Sequence, residues 1–137
     1  MELGKDKNMN KQELYEIAFN LIDCKKLRRF GTAGHVACAL ETSNGNIFTG
    51  ICIDLPCSIG LCAEQSAIAE MIKNGETAIK KIIAVFEDGS ILPPCGRCRE
   101  FISQIDDQNI KTQIIMPELK EMLIKNLLPE RWDNKWS

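Results

Sequence analysis

Cys62-Ala63-Glu64, followed downstream by Pro94-Cys95-Gly96-Arg97-Cys98, are the stretches on which the fold and chemistry of this chain turn. Zinc prefers four ligands in a tetrahedron and takes thiolates readily. Cys95 and Cys98 are three residues apart, so one turn of chain can aim both sulfurs at a single ion. Cys62 then supplies the third sulfur from a separate element. Three protein ligands with one open position is a catalytic pattern; a structural site would recruit a fourth Cys or His. Glu64, two residues after Cys62, reaches the open position without taking up a ligand place. Both Cys62 and Cys95 fall at predicted helix starts, where free N–H groups and the positive end of the helix dipole favour a thiolate. Three thiolates leave the ion with net negative charge. Arg97 and Arg99 are the nearby cations that can offset it.

Cysteine pair, upstream cysteine and glutamate together form the zinc-deaminase layout, in which the glutamate acts as general acid and base. With the flanking stretches His35–Leu40 (HVACAL), Gly45–Gly50 (GNIFTG), Ile91–Glu100 (ILPPCGRCRE) and Asn126-Leu127-Leu128-Pro129, the chain resembles the cytidine deaminase family. It resembles the blasticidin S deaminases within that family as well as it does the nucleoside-salvage enzymes. The likeness runs from about residue 10 to 130. It implies a three-layer α/β/α fold with a mixed sheet of about five strands, one Zn²⁺, and a homotetramer. It also implies hydrolytic deamination of a pyrimidine nucleoside. Glu64 takes a proton from water, passes it to the ring nitrogen, and later helps the amine leave as ammonia. The Ala63 backbone holds the ring carbonyl, and the backbone at Pro93, before Pro94, meets the departing ammonia. Pro93 stands where the family has Ser; a carbonyl survives that change and a hydroxyl does not.

The resemblance weakens where the sugar and base would be held. The family's Asn-x-Glu on the second strand, which binds ribose hydroxyls, is here Cys52-Ile53-Asp54. Asp54 keeps a carboxylate with shorter reach, and Cys52 is a poor replacement for an amide. The aromatic that stacks on the base falls at Gly34. Trp132 and Trp136 are the aromatics left to serve the pocket or a neighbouring subunit. A modified aminopyrimidine nucleoside such as blasticidin S is therefore an alternative substrate. Further alternatives are a non-catalytic zinc-stabilised binding protein, a structural zinc site with Cys57 as fourth ligand, and a redox-active Cys95-Gly96-Arg97-Cys98 dithiol. His35, the only histidine, is expected at the mouth of the first long strand, partly buried.

Composition fits an ordinary globular domain. The 137 residues are 45% hydrophobic and 26% charged, with formal net charge −2. That length supports one domain and one core, with a polar segment 1–9 expected to be disordered and a deaminase domain over 10–137. The weak negative charge implies no nucleic-acid partner. Apolar runs are too short for a membrane span and no cleavable signal pattern is present, so the chain is expected in the cytoplasm. Seven cysteines there argue for metal and packing roles rather than a disulfide framework; Cys24 and Cys38 are expected to pack as small hydrophobes.

Element by element, apolar residues at helical spacing predict a helix from Asn10 to about Arg29. Asn10 and Glu13 form its capping box, and the cluster Lys25-Lys26-Leu27-Arg28-Arg29 is its basic end. Strands are expected over His35–Leu40 and Asn46–Ile53, joined at Ser43-Asn44-Gly45. A buried helix over Cys62–Asn74 ends at Gly75. Its stretch Ala63–Met71 is apolar on most faces, more than one sheet would bury, which points to assembly. Then follow a strand Lys81–Phe86, a helix Cys95–Ile105, a strand Thr112–Met116 and a helix Glu118–Leu127. The resemblance adds a fifth strand near Met116–Leu119, where Pro117 weakens it.

Overall fold

The structure, a computed structural model, describes residues 9–134. Expectations for residues 1–8 and Trp136 lie outside the described residues. Helix α1 (Lys11–Phe19) begins with the expected capping box: the Asn10 side chain accepts from the Glu13 N–H at 2.8 Å, and the Glu13 carboxylate accepts from the Asn10 N–H at 3.1 Å. Strands β1 (Lys25–Lys26), β2 (Thr32–Thr42), β3 (Ile47–Asp54) and β4 (Gly60–Leu61) follow, then helix α2 (Ala63–Lys73) and strand β5 (Ile79–Phe86). Helix α3 (Gly96–Ile105) leads through a 3₁₀ turn to strand β6 (Gln113–Met116). A second 3₁₀ turn (Pro117–Leu119), strand β7 (Lys120–Leu123) and a single turn of helix, α4 (Ile124–Leu127), complete the described chain.

The strands form one mixed sheet in the order β4-β3-β2-β5-β6-β7, with β1 paired to β2. Only β5 and β6 run parallel; α3 makes the crossover between them. Side chains alternate across each strand, and both faces are buried. Cys38 and Leu40 of β2, Ile82 of β5 and Ile114 of β6 join Ala67, Ile68 and Met71 of α2, Ile102 of α3 and Ile124 of α4. Their neighbours Ala39, Ile83, Val85 and Ile115 pack on the other face with Leu14 and Ala18 of α1. The result is the expected three-layer α/β/α arrangement, with seven strands rather than about five because β1 and β4 are two-residue additions at the edges.

Four local expectations are corrected. Helix α1 stops at Phe19, well before Arg29, because the sheet claims the following backbone: Asp23 N–H donates to the Gly34 carbonyl at 3.2 Å and β1 pairs with β2. The basic cluster therefore lies in an exposed edge strand and its turn, where lysines block further strand pairing. Cys24 is exposed outside the helix rather than packed as a hydrophobe, whereas Cys38 is fully buried. The segment Glu118–Leu127 is not one helix: it holds the end of a 3₁₀ turn, strand β7 and the single helical turn α4. Pro117 ends β6, Glu118 and Leu119 turn through positive φ, and β7 returns antiparallel to β6. Finally, α2 is covered largely by its own chain. Gly50 of β3 lets it lie unusually close, since a Cβ there would run into the backbone nitrogen of Ala67. The apolar face of α2 is thus no evidence for assembly by itself.

Candidate active site

Two helix N-termini meet at the end of the sheet. Cys62 is the N-cap of α2 and Cys95 the N-cap of α3, both extended in backbone. Their carbonyls accept the first helical hydrogen bonds, from Ser66 N–H at 3.1 Å and Arg99 N–H at 3.0 Å. Neither thiol makes a full capping hydrogen bond to its own helix, and both sulfurs converge on that of Cys98. Cys98, in the first turn of α3, is buried. The three sulfurs lie within 4.8 Å of one another. Three convergent thiols, two of them at helix N-termini, are a donor set that fits zinc. Cys57 is exposed, stands outside this cluster, and has a left-handed backbone at φ 67°. The four-thiol arrangement has no support in this geometry.

The turn after β5 delivers Cys95. Val85 bridges Ile91, and Leu92 N–H donates to the Ala84 carbonyl at 2.9 Å, so residues 91–92 run back along β5 and Pro93-Pro94 carries the chain to the N-cap. Arg99 secures this junction: its Nε donates to the Pro94 carbonyl at 2.8 Å, and a second guanidinium nitrogen reaches the Leu127 carbonyl at 3.5 Å. Arg97 instead lines the cavity.

The electrostatics of the triad follow from burial against local donors. Burial opposes ionisation of Cys95, but the backbone N–H groups of Cys98 and Arg97 and the neighbouring thiols outweigh it, and the thiol sits below its ordinary value. Burial raises Cys62, with the Cys95 and Glu64 charges adding to it. Cys98 is pushed well above the usual thiol range by burial first and the Glu64 carboxylate second. Glu64 is itself buried, and burial raises it, while its own backbone N–H and the Cys98 thiol pull the other way. Groups that burial and mutual repulsion disfavour as anions are groups whose ionised forms a bound cation would stabilise.

Cys62, Glu64 and Cys95 form the floor of a cavity of about 470 Å³, with Cys98 buried beneath it. Ala63, Asp54, Cys52 and Pro93 all line it, as does His35. At the rim, β2 and β3 lose register between Ala33 and Ala37. The extra β2 residues bulge, and Val36 N–H finds the Cys52 sulfur at 3.3 Å instead of a backbone carbonyl. Cys52 Sγ in turn donates to Asp54 Oδ2 at 3.5 Å. Gly34 sits in this bulge at φ 83°, where a Cβ would run into the Asp23 carbonyl oxygen. No aromatic side chain fits at that position. The described aromatic on the cavity wall is Phe86, at the end of β5, with Ile59 and Leu61 as apolar neighbours. Sequence reasoning missed Phe86 because KIIAVF reads as uniform buried strand; its place as the last residue before a turn was the available signal. Trp132 lies elsewhere, its indole N–H donating to Glu100 Oε2 at 2.8 Å, and does not line the cavity.

A mixed sheet covered on both faces, with two helix N-termini presenting thiols and a buried carboxylate to one cavity, defines an α/β/α protein built around a thiolate metal centre. The chain belongs to the family described as the cytidine and deoxycytidylate deaminase zinc-binding region, which matches residues 9–114. A cytidine deaminase of Shewanella halifaxensis is 34% identical over 98 residues, 69% of this chain. The chain spans only 31% of that protein. A blasticidin-S deaminase of Bacillus cereus is 28% identical over 107 residues, covering 72% of this chain and 76% of that protein. The solved cytidine deaminase of Mycobacterium leprae shares the fold, with a TM-score of 0.75 at 24% identity over 90% of this chain and all of that one.

Proposed function

We propose that the chain is a zinc-dependent hydrolytic deaminase acting on an aminopyrimidine nucleoside, a hydrolase of C–N bonds in cyclic amidines. The observation that carries this is the buried Glu64 beside three convergent thiols at the floor of a nucleoside-sized cavity. Cys62, Cys95 and Cys98 hold the ion. When bound, zinc supplies a Lewis acid that lowers the pKa of water. Glu64 takes the proton from water as its oxygen bonds to the amine-bearing carbon, and delivers that proton to the ring nitrogen. Glu64 then takes the proton of the new hydroxyl and passes it to the amine, so that the C–N bond breaks, ammonia leaves and the carbonyl forms. One carboxylate thus serves as base and then as acid. The Ala63 backbone meets the ring carbonyl and the Pro93 carbonyl the departing amine, while Phe86 replaces the aromatic that Gly34 excludes.

The rim favours a second reading of the substrate. Cys52 and Asp54 are occupied with each other, so the sugar-binding pair of a standard cytidine site is changed in both members. A lost hydrogen bond to a hydroxyl costs about 0.5–1.5 kcal/mol, and a weakened stacking contact about as much again. Together these lower cytidine kcat/KM by one to two orders of magnitude, at roughly 1.4 kcal/mol per factor of ten. A nucleoside with a different sugar or substituent, of which blasticidin S is one, fits the same floor. The test is a kcat/KM comparison of ammonia release from cytidine, deoxycytidine, cytosine and blasticidin S, with zinc content measured on the same samples. Turnover of none of them by zinc-loaded protein would favour a zinc-stabilised binding protein instead.

The exposed apolar rim, Ile59 at 62% and Leu61 at 37%, with Phe30 at 56% nearby in sequence to the bulge, supports a homo-oligomer, a tetramer, in which a neighbour covers these side chains. Among the described residues no helix is long and apolar enough to cross a membrane. A cytoplasmic role in pyrimidine salvage is the setting this chemistry suits. Light scattering at micromolar concentration checks the assembly; a monomer would overturn it.

A further inference from the structure

A second cluster of metal-ligating groups stands at the mouth of the cavity and takes no part in the proposed deamination. Its members are Cys24, His35 and Glu87, whose ligand atoms lie within 4.8 Å of one another. His35 Nδ1 is 3.0 Å from Glu87 Oε1, and Cys24 Sγ is 3.5 Å from Glu87 Oε2. We propose that these three residues form a second site for a divalent cation of the zinc class.

The geometry suits such an ion. Zinc bonds of about 2.0–2.3 Å to nitrogen, oxygen and sulfur put tetrahedral ligand atoms roughly 3.3–3.7 Å apart, and ligand atoms already within 4.8 Å of one another reach that spacing with small side-chain shifts. One thiol, one imidazole and one carboxylate are a borderline donor set, which selects zinc over magnesium or calcium. Solvent is available for the fourth position, since Cys24 is exposed and the Glu87 side chain is 43% exposed. Slight desolvation and the Glu87 charge raise the Cys24 thiol, so its sulfur keeps a proton until a cation replaces it. The proton must leave on binding, and a site with one thiolate in place of three holds the ion less tightly than the floor.

Three separate elements build the cluster. Val36 of β2 pairs with Phe86 of β5, which brings His35 and Glu87 together one step further along the same ladder. The segment carrying Cys24 is pressed against β2 by the bond from Asp23 N–H to the Gly34 carbonyl. That approach needs a residue without a Cβ at position 34, because any Cβ would strike the Asp23 carbonyl. The glycine that removes the aromatic from the cavity thus creates the place for Cys24. His35 belongs to both the cluster and the cavity lining, so an ion held here would stand at the cavity mouth.

His35 is the single histidine, so its imidazole NMR signals in tag-free protein need no assignment. The experiment titrates Zn²⁺ into protein already loaded with one equivalent. The ring signals are expected to shift and saturate with one further equivalent. Cys24→Ser and Glu87→Gln should each weaken that equivalent by about tenfold or more, the least that even changes around the ligands produce at such sites. Cys95→Ala with Cys98→Ala should abolish the first equivalent and leave the second, which separates this site from the deaminase reading. Ring signals unmoved by zinc, or a second equivalent as tight in both Cys24→Ser and Glu87→Gln, would overturn the proposal.

Discussion

The floor and the rim of the cavity are built in opposite ways. The floor comes from two helix N-termini, with Cys62, Glu64, Cys95 and Cys98 all within the cap or first turn of α2 or α3. The rim comes from strand ends, a bulge and turns: Gly34 and His35 on β2, Cys52 and Asp54 on β3, Phe86 at the end of β5. A helix start fixes its first side chains by local geometry, so short sequence spacing carries the floor. A bulge aims its side chains through contacts made across the sheet. On the proposed function, the difference separates two properties of the molecule: the floor carries the bond-breaking chemistry, and the rim chooses what is presented to it.

Changes at the floor should therefore act on turnover and metal. Glu64→Gln is expected to lower turnover by roughly 10²–10⁴-fold, the range for a general acid and base, while zinc content and fold are retained. Steady-state ammonia release beside metal analysis checks this; turnover near the parent value would remove Glu64 from the chemistry. A smaller effect is expected one layer out. Arg99 holds the Pro94 carbonyl through Nε, and lysine cannot reproduce that donor with the Leu127 contact. Arg99→Lys should weaken zinc by about 10–100-fold in chelator competition. Unchanged affinity would show that the Pro93-Pro94 turn holds Cys95 unaided.

The same contrast explains what could be read from the sequence. The capping box at Asn10, the helices starting after Cys62 and Cys95 and the β2–β3 hairpin are each signalled by residues close together in the chain. The convergence of Cys62, Glu64, Cys95 and Cys98 was legible for that reason. The early end of α1 was not, since Leu21 and Ile22 continue the helical spacing while β2 captures the backbone at Asp23. Strand β7 was hidden because Lys120-Glu121-Met122-Leu123 reads as well as helix as it does as an edge strand. At the rim, the pairing of Cys52 with Asp54, the role of Phe86 and the cluster around Glu87 all depend on strand register, which spacing does not reveal.

The rim has its own test at Gly34. Gly34→Ala forces a Cβ into a left-handed backbone and against the Asp23 carbonyl. The conformational part alone costs about 1–2 kcal/mol, and displacement of Asp23 adds to it. Chemical denaturation should show a lower midpoint, with zinc affinity of the floor unchanged in the folded protein. A midpoint equal to the parent's would mean that the Asp23 segment moves freely away from β2, and that the rim is looser than the contacts described.

The smallest effect separates overall stability from both regions. Asp106 lies at the far end of α3 from Cys95, where its carboxylate accepts from the Gln108 N–H at 2.8 Å and the Thr77 hydroxyl at 2.7 Å. These two donors, the backbone one first, hold its pKa below the ordinary value. A carboxylate depressed in the folded state contributes stability that is fully present above its unfolded pKa, about 3.9, and is lost as pH falls through the folded value. Asp106→Asn keeps one acceptor oxygen, for the Gln108 N–H, and sets an amide NH2 against the Thr77 hydroxyl, which can turn to accept; it cannot titrate. It should cost less than the 0.5–2 kcal/mol typical of losing a cap altogether, roughly a few tenths at neutral pH, because the site is largely exposed. The difference from the parent should hold steady from neutrality down to about pH 4 and shrink below it. Other carboxylates, Glu76 and Asp88 among them, are also held low and shape the acid limb, so the difference between the two proteins is the quantity to follow. Zinc affinity and turnover should not change, since neither Thr77 nor Gln108 lines the cavity. A change in either would mean that α3 transmits strain along its length to Cys95, and that the floor is less self-contained than its two helix caps imply.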